Sequence, residues 1–295
     1  MTLSQTTIQT RTNLIARWRR RFNLSLLTVV LLGITLMVII PFVWMTVLSL
    51  RTTGDILRDP YGLPSVPRWE NYIRLMFDPD ISFYRYFINS IFVTFFSLLF
   101  TSVLATLGGY GFGRPRYEFK QRGWLFGLLL VALMLPPQIM YIPQFTMMAR
   151  YGLLNTRWSL VLLYTAMALP VSTYLMATYF SQLPGELEDA ARIDGCNDFR
   201  MFWNVMLPLT RPALATVILI NSLHFWNELL LAVTMVTDPA KRTLPSAMMM
   251  FVGEHSADYA IGAASLVTAM LPVLVLYLFL SDRFIEGLTA GALKG

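Results

Sequence analysis

Long uncharged apolar stretches alternate with short charged ones along this chain, and that alternation limits its fold more than any motif does. The stretches run Leu24–Leu50, Tyr86–Phe112, Gly123–Met147, Trp158–Phe180, Pro212–Val236 and Tyr259–Ser281. A helix that crosses a bilayer needs about 20 predominantly apolar residues, and each stretch meets that length. Five contain no Asp, Glu, Lys, Arg or His; only Pro212–Val236 does, with His224 and Glu228. Strands of a membrane barrel would be about 10 residues long and would alternate in polarity. A helix instead satisfies its backbone groups within the segment, as lipid requires. The expected fold class is therefore all-α, with six transmembrane helices. Only 14% of the residues are charged, against roughly 25% in soluble domains. So few polar groups cannot cover a surface in water. A cytosolic globular enzyme is excluded, and so is a disordered chain, which needs the opposite balance.

The charges between the stretches set the orientation. Residues 1–23 form a basic tail ending Arg17-Trp18-Arg19-Arg20-Arg21, and Gly113–Arg122 holds Arg114, Arg116, Lys120 and Arg122. The segment on the other side, between the third and fourth stretches, holds only Arg150 and Arg157. Lys and Arg concentrate in cytoplasmic loops, so both termini are expected in the cytoplasm. The net charge of +6 is thus read as a topology signal, with a lipid bilayer and no nucleic acid as partner. A secretory leader would have a shorter apolar core followed by a small-residue cleavage site; here Pro41-Phe42-Val43-Trp44 follows instead. Residues 24–295 read as one membrane domain. Its longest outer loop, Arg51–Arg85, is too short for an independent ligand-binding domain.

No catalytic or metal site is expected. There is one Cys, no phosphate-cradling G-x-x-x-x-G-K-[ST], no His/Cys cluster and no G-x-S-x-G elbow. Any energy this chain uses would have to come from another subunit or an ion gradient. Glu228 and His224, one helical turn apart, are the candidates for a gradient-driven carrier. Glu228 lies about 24 Å along a helix that starts at Pro212, which reads as a water-accessible acid near the outer interface.

The segment with the most information is the cytoplasmic loop 181–211. Pro184 can open a short helix whose first turn is acidic, with Glu186, Glu188 and Asp189 suiting its positive end. Gly195 is a natural stop, because glycine takes the left-handed cap conformation. Asn197 or Asp198 can cap a second short helix ending near Pro208. Asp189-Ala190-Ala191, three residues, Gly195, nine residues and Val205-x-Leu207-Pro208 resemble the E-A-A-x3-G-x9-I-x-L-P loop of ATP-binding-cassette (ABC) importer permeases. Asp189 stands for the usual Glu and Val205 for Ile. Trp226-Asn227-Glu228 and the ending Gly287-Leu288-Thr289-Ala290-Gly291-Ala292-Leu293-Lys294-Gly295 resemble the carbohydrate-uptake branch, of the type of the second maltose permease.

The resemblance implies a type I importer architecture in a bacterial or archaeal cell membrane. It implies half of a sugar pathway completed by a second permease subunit, a dimer of cytoplasmic ATPases and an extracytoplasmic solute-binding protein. ATP and Mg would sit on the ATPase, leaving this chain without catalysis or cofactor. Glu188, Asp189, Ala190, Ala191, Asp194, Gly195, Leu207 and Pro208 would form the ATPase-coupling joint. A non-sugar solute such as glycerol phosphate remains an alternative, as does the carrier. Asn89, Gln138, Asn221, Trp226, Asn227 and Glu228 are candidate pathway residues, with interhelical hydrogen bonding as the competing role. Prolines at Pro41, Pro136-Pro137, Pro143, Pro170 and Pro272 mark possible kinks, sharpest at Leu135-Pro136-Pro137-Gln138. Gly108-Gly109-Tyr110-Gly111 and Gly262-Ala263-Ala264-Ser265 permit close packing, inside the chain or against a partner.

Overall fold

A computed structural model describes residues 3–81, 83–116, 119–254 and 258–292, with side chains for the parts of these that fall within 24–249 and 258–279. His255, Leu293-Lys294-Gly295 and the side chains of Arg17–Arg21 and Gly287–Ala292 lie outside that description. Every regular element among the described residues is helical.

The helices follow the apolar stretches, with two departures. Helix α1 (Leu3–Ser49) takes in the basic tail as well as the first stretch; its part suited to a membrane is Leu24–Ser49. Two short helices follow, α2 (Thr53–Arg58) and α3 (Glu70–Phe77), then the long α4 (Phe83–Gly113). The third stretch, expected as one span, is instead α5 (Arg122–Ala132) and α6 (Tyr141–Arg150), bent by 97° at the break. Its cause is Pro136-Pro137: Pro136 is extended (ψ 127°), and Pro137 opens a 3-10 turn, Pro137–Met140, without needing its missing N–H. Pro41 and Pro170 sit inside α1 and inside α7 (Arg157–Gln182), and Pro143 falls in the first turn of α6; none of them ends a helix.

Beyond α7 come α8 (Glu186–Ile193), α9 (Asp198–Met201) and, after a π turn at Phe202–Met206, α10 (Leu207–Leu209). The fifth stretch is also interrupted. Its main helix α11 (Arg211–Asn227) stops at Glu228, and α12 (Leu230–Met235) is a separate turn and a half. The pair Asp198–Leu209 and Arg211–Asn227 is bent by 70°. The chain ends in α13 (Leu244–Glu254) and α14 (Tyr259–Ala292), the latter running through Pro272. Four described helices are thus long and apolar enough to cross a membrane unaided. The expected six is reached when each bent pair is taken as one span.

The chain divides into two compact units, Met1–Asn71 with Asp258–Val267, and Tyr72–Ala257 with Thr268–Gly295. In the first, the loop after α1 is knit together by its polar side chains. Thr52 and Asp55 cap α2 reciprocally, through Asp55 N–H to Thr52 Oγ1 and Thr52 Oγ1 to Asp55 Oδ2. The Thr52 hydroxyl holds the Asp55 carboxyl below its usual pKa. Arg51 closes the other end of α2 on the Asp55 and Asp59 carbonyls, and Thr53 donates to Asp258 at 2.7 Å.

The second unit is built on the contact of α4 with α7, the most extensive between described helices. Lipid tails are as apolar as leucine, so no hydrophobic force drives such a pair; close packing does, and small residues permit it. Gly109 and Gly113 supply it at i and i+4. A Cβ on Gly109 would collide with the Met176 side chain, and one on Gly113 would meet the Ala177 carbonyl and lie 2.8 Å from Phe180 Cβ. Of the glycines read as a packing patch, Gly109 therefore packs within the chain, whereas Gly111 faces open space. Two apolar cores flank this seam. One gathers Val93, Leu160, Tyr164, Phe225 and Met235; the other gathers Ala105, Met176, Phe180, Met201, Met206 and Val217.

Gly109→Val and Gly113→Val should each cost about 1–3 kcal/mol through overpacking. Thermal unfolding in detergent should show a lowered midpoint for both, with Gly111→Ala unchanged. A midpoint unmoved in both valine variants would contradict the seam.

Candidate functional site

The loop between α7 and α11 folds into an elbow by local chemistry alone. Leu183, extended, ends α7, and α8 starts after Pro184-Gly185, with its acids Glu186, Glu188 and Asp189 in the first turn. Gly195 is left-handed (φ 79°). Its N–H bonds the Arg192 carbonyl while Cys196 N–H bonds Ala191, a Schellman closure of the helix. Nothing crowds the Gly195 Cα, so the glycine is needed for its backbone angle and not for space. Asn197 Oδ1 accepts the Arg200 N–H at 2.8 Å and so caps α9, as expected. Arg192 and Asp198 pair across the turn at 2.7 Å. The second helix continues to Leu209 but widens into a π turn, with Leu207 N–H on the Phe202 carbonyl. Pro208 accounts for the widening, because it has no N–H for the Asn204 carbonyl and its ring crowds that position.

Two faces of the elbow differ in chemistry. Glu186, Asp189, Ala190, Asp194 and Gly195 are exposed, and Ile193 among them is 88% exposed. Phe199 and Trp203 extend this exposed apolar character along the second helix. Inward go Ala191, Met201, Phe202 and Met206, which join the core around Phe180. Leu207 and Pro208 are half-buried, and Cys196 is half-buried. Two expected joint residues point inward: Ala191, in that core, and Glu188, with only 6% of its side chain exposed.

Glu188 is inward because Arg114 is there. Arg114 follows the end of α4 and was read from sequence only as one of the basic loop residues. Its Nε lies 2.7 Å from Glu188 Oε1. Its Nη1 donates to the carbonyls of Phe180 (3.0 Å) and Leu183 (2.6 Å), which stand where α7 ends. Tyr110 OH makes a longer second contact with the carboxylate at 3.4 Å. The only sequence sign of this arrangement is a doubled acid, Glu188-Asp189, since neighbours on a helix are turned about 100° apart and cannot share one role.

Most candidate pathway residues are committed to architecture. Asn89 donates to the Ala240 and Arg242 carbonyls and accepts from Arg157, pinning the segment after α12. Asn221 joins α11 to α7 through Ser172 at 2.9 Å. Trp226 donates to Ala269 of α14 and stands edge-on to Phe87. Glu228 keeps only part of its surface open to solvent. It is half-buried, accepts the Leu231 and Ala232 N–H groups that begin α12, and accepts the Tyr164 hydroxyl at 2.8 Å. His224 is exposed on the turn before. Gln138 and Asn227 remain at the surface, at the two breaks, although the Asn227 amide bonds its own helix at Leu223. Sequence reading missed Asn155, which is left-handed (φ 57°) and whose side-chain Oδ1 accepts from Thr237 N–H, Thr237 Oγ1–H and Asp238 N–H.

Residues 105–289 match the family model described as the binding-protein-dependent transport system inner membrane component. Among curated relatives, the probable ABC transporter permease protein YurM of Bacillus subtilis is 33% identical, over 86% of this chain and 83% of its own length. The diacetylchitobiose uptake system permease protein NgcG of Streptomyces coelicolor is 34% identical, over 88% and 85%. The trehalose/maltose transport system permease protein MalG of Thermococcus litoralis is 34% identical, over 90% and 96%. A bacterial ABC transporter involved in the import of the acidic polysaccharide alginate has a chain with TM-score 0.75 and 24% identity, covering 88% of this chain and 96% of that one; it shares the fold.

Glu228→Gln keeps the acceptor for one of the two N–H groups and should cost about 1 kcal/mol, whereas Glu228→Ala strips both and should cost about 1–3 kcal/mol. Unfolding midpoints in detergent rank the three proteins; equal midpoints would remove the capping role.

Proposed function

The chain belongs to the family of binding-protein-dependent transport system inner membrane components, and from that premise we propose that it forms half of the solute pathway of an ATP-driven sugar importer. As a multi-pass membrane transport component it is not an enzyme. The carbohydrate branch is favoured by the names of its relatives, two of which transport diacetylchitobiose and trehalose or maltose. The complex would comprise a second permease, a pair of cytoplasmic ATPases that bind ATP and Mg, and an external solute-binding protein. Both termini and the elbow would face the cytoplasm, in keeping with the distribution of Lys and Arg.

The observation that supports the coupling role best is the elbow itself. A short helix closed by left-handed Gly195 presents Asp189, Ala190, Ile193 and Asp194 outward, exposed among the described residues. Asp189, Ala190, Asp194 and Gly195 would meet the ATPase. Glu188, Ala191, Leu207 and Pro208 would shape the elbow from within. Closing of the ATPases would then shift the membrane helices between inward- and outward-facing states. Glu228 as a capping group weighs against the gradient-driven carrier, because its charge is spent on backbone N–H groups and Tyr164.

Reconstituted with its ATPase, partner permease and binding protein, the chain should support uptake of labelled maltose, trehalose or diacetylchitobiose that requires ATP on the elbow side and survives an ionophore. Uptake abolished by the ionophore alone would favour the carrier, and transport of glycerol phosphate with none of the sugars would change the solute class. Gly195→Asp should lower uptake about tenfold or more, since a side chain at a left-handed position costs about 1–2 kcal/mol and puts a charge on the docking face. Undiminished ATP-dependent uptake by that variant would detach Gly195 from the joint.

A further inference from the structure

We infer that Arg114 is the positioning residue that makes the elbow helix α8 move as one body with α4 and α7. This rests on the reading above, in which an ATPase grips the outer face of α8. The covalent path from α7 to α8 is short and weak. It is Leu183-Pro184-Gly185, with Leu183 extended and Gly185 lacking a side chain that could brace it. A push on α8 would be absorbed by bending there unless something bridged the link.

One guanidinium does so. Arg114 Nη1 holds the carbonyl of Phe180 in the last turn of α7 and the carbonyl of Leu183 within the link, at 3.0 and 2.6 Å. Its Nε holds Glu188 of α8, beyond the link, at 2.7 Å. Its own backbone N–H is bonded to Tyr110 of α4 at 3.1 Å, so the side chain is anchored at the end of the long helix. Three helices converge on one planar group whose donors have fixed directions. Both side chains of the ion pair are nearly closed to solvent, with 3% and 6% exposed, so water cannot readily replace either partner.

The geometry also accounts for the two adjacent acids. About 100° apart on α8, Asp189 is exposed and free to meet a partner, and Glu188 is buried on the strut. Force received on one side of the helix is delivered to α4 and α7 from the other.

The test is the number of ATP molecules hydrolysed per solute molecule imported, measured in proteoliposomes holding the full complex and its binding protein. A variant that merely misfolds removes active complexes, so hydrolysis and uptake fall together and the ratio stays constant. Arg114→Gln and Glu188→Gln should raise the ratio about fivefold or more, the size of a typical coupling between sites. Arg114→Lys, which keeps charge but not the fork, should fall between them and the unaltered protein. If these variants do not assemble, Glu188→Asp decides, because it keeps the charge and shortens the reach by one methylene. A raised ratio in whichever variants assemble supports the strut, and an unchanged ratio overturns it. If the unaltered complex imports nothing on ATP, the functional reading itself fails and takes the strut with it.

Discussion

A positive charge buried where a membrane helix ends must be neutralised on the spot, and the arrangement of the elbow follows from that. Arg114 has two carbonyls, one carboxylate and almost no solvent around it. Removing one partner from such a pair leaves an uncompensated buried charge, with a penalty of about 3–5 kcal/mol. The carbonyls it uses stand where α7 stops, and α8 is turned so that Glu188 reaches its Nε. Which face of α8 is left for solvent is therefore decided from inside. The exposed Asp189, Ala190 and Ile193 are outward because Glu188 is not.

The membrane imposes a second constraint, that no backbone group be left unpaired away from water. The chain breaks two of its apolar stretches all the same, and each break has its own means of repair. Pro136-Pro137 gives up two donors by composition and passes into a 3-10 turn. At Asn227–Leu229 the Glu228 carboxylate takes the first N–H groups of α12, and Asn89 and Asn155 tie down the segment that follows. Asn89, Asn221 and Glu228 are thus occupied with holding irregular backbone and joining helices, whereas the buried hydroxyls of Ser97, Thr101, Thr106 and Thr165 find no partner among the described residues. Of the residues expected on a pathway, Gln138 and Asn227 are the ones left at the surface, one at each break.

What could be read beforehand and what could not divides along the range of the interactions. Length and apolarity located the spans, and the elbow was legible almost to the residue. A left-handed Gly195, an Asn197 cap and a stop near Pro208 depend on bonds and clashes within about five positions, and the amino acids at those positions settle them. The same holds for the break at Pro136. It does not extend to Glu228, whose carboxylate takes a partner from Tyr164, 64 positions away.

The sequence by itself determined an all-helical membrane chain, the placing of its apolar segments, and an acidic helix closed by glycine and joined to a second. Only the tertiary structure decided that Glu188 faces in while Asp189 faces out, that Gly109 and Gly113 seat α4 on α7, and that Asn89 and Asn221 are fasteners. The physical reason is that each of these depends on a partner brought from far along the chain, 74 positions for Arg114 and Glu188 and 153 for Asn89 and Arg242. Charge, size and hydrogen-bonding capacity say that a group needs a partner; only the packed chain says which one it has.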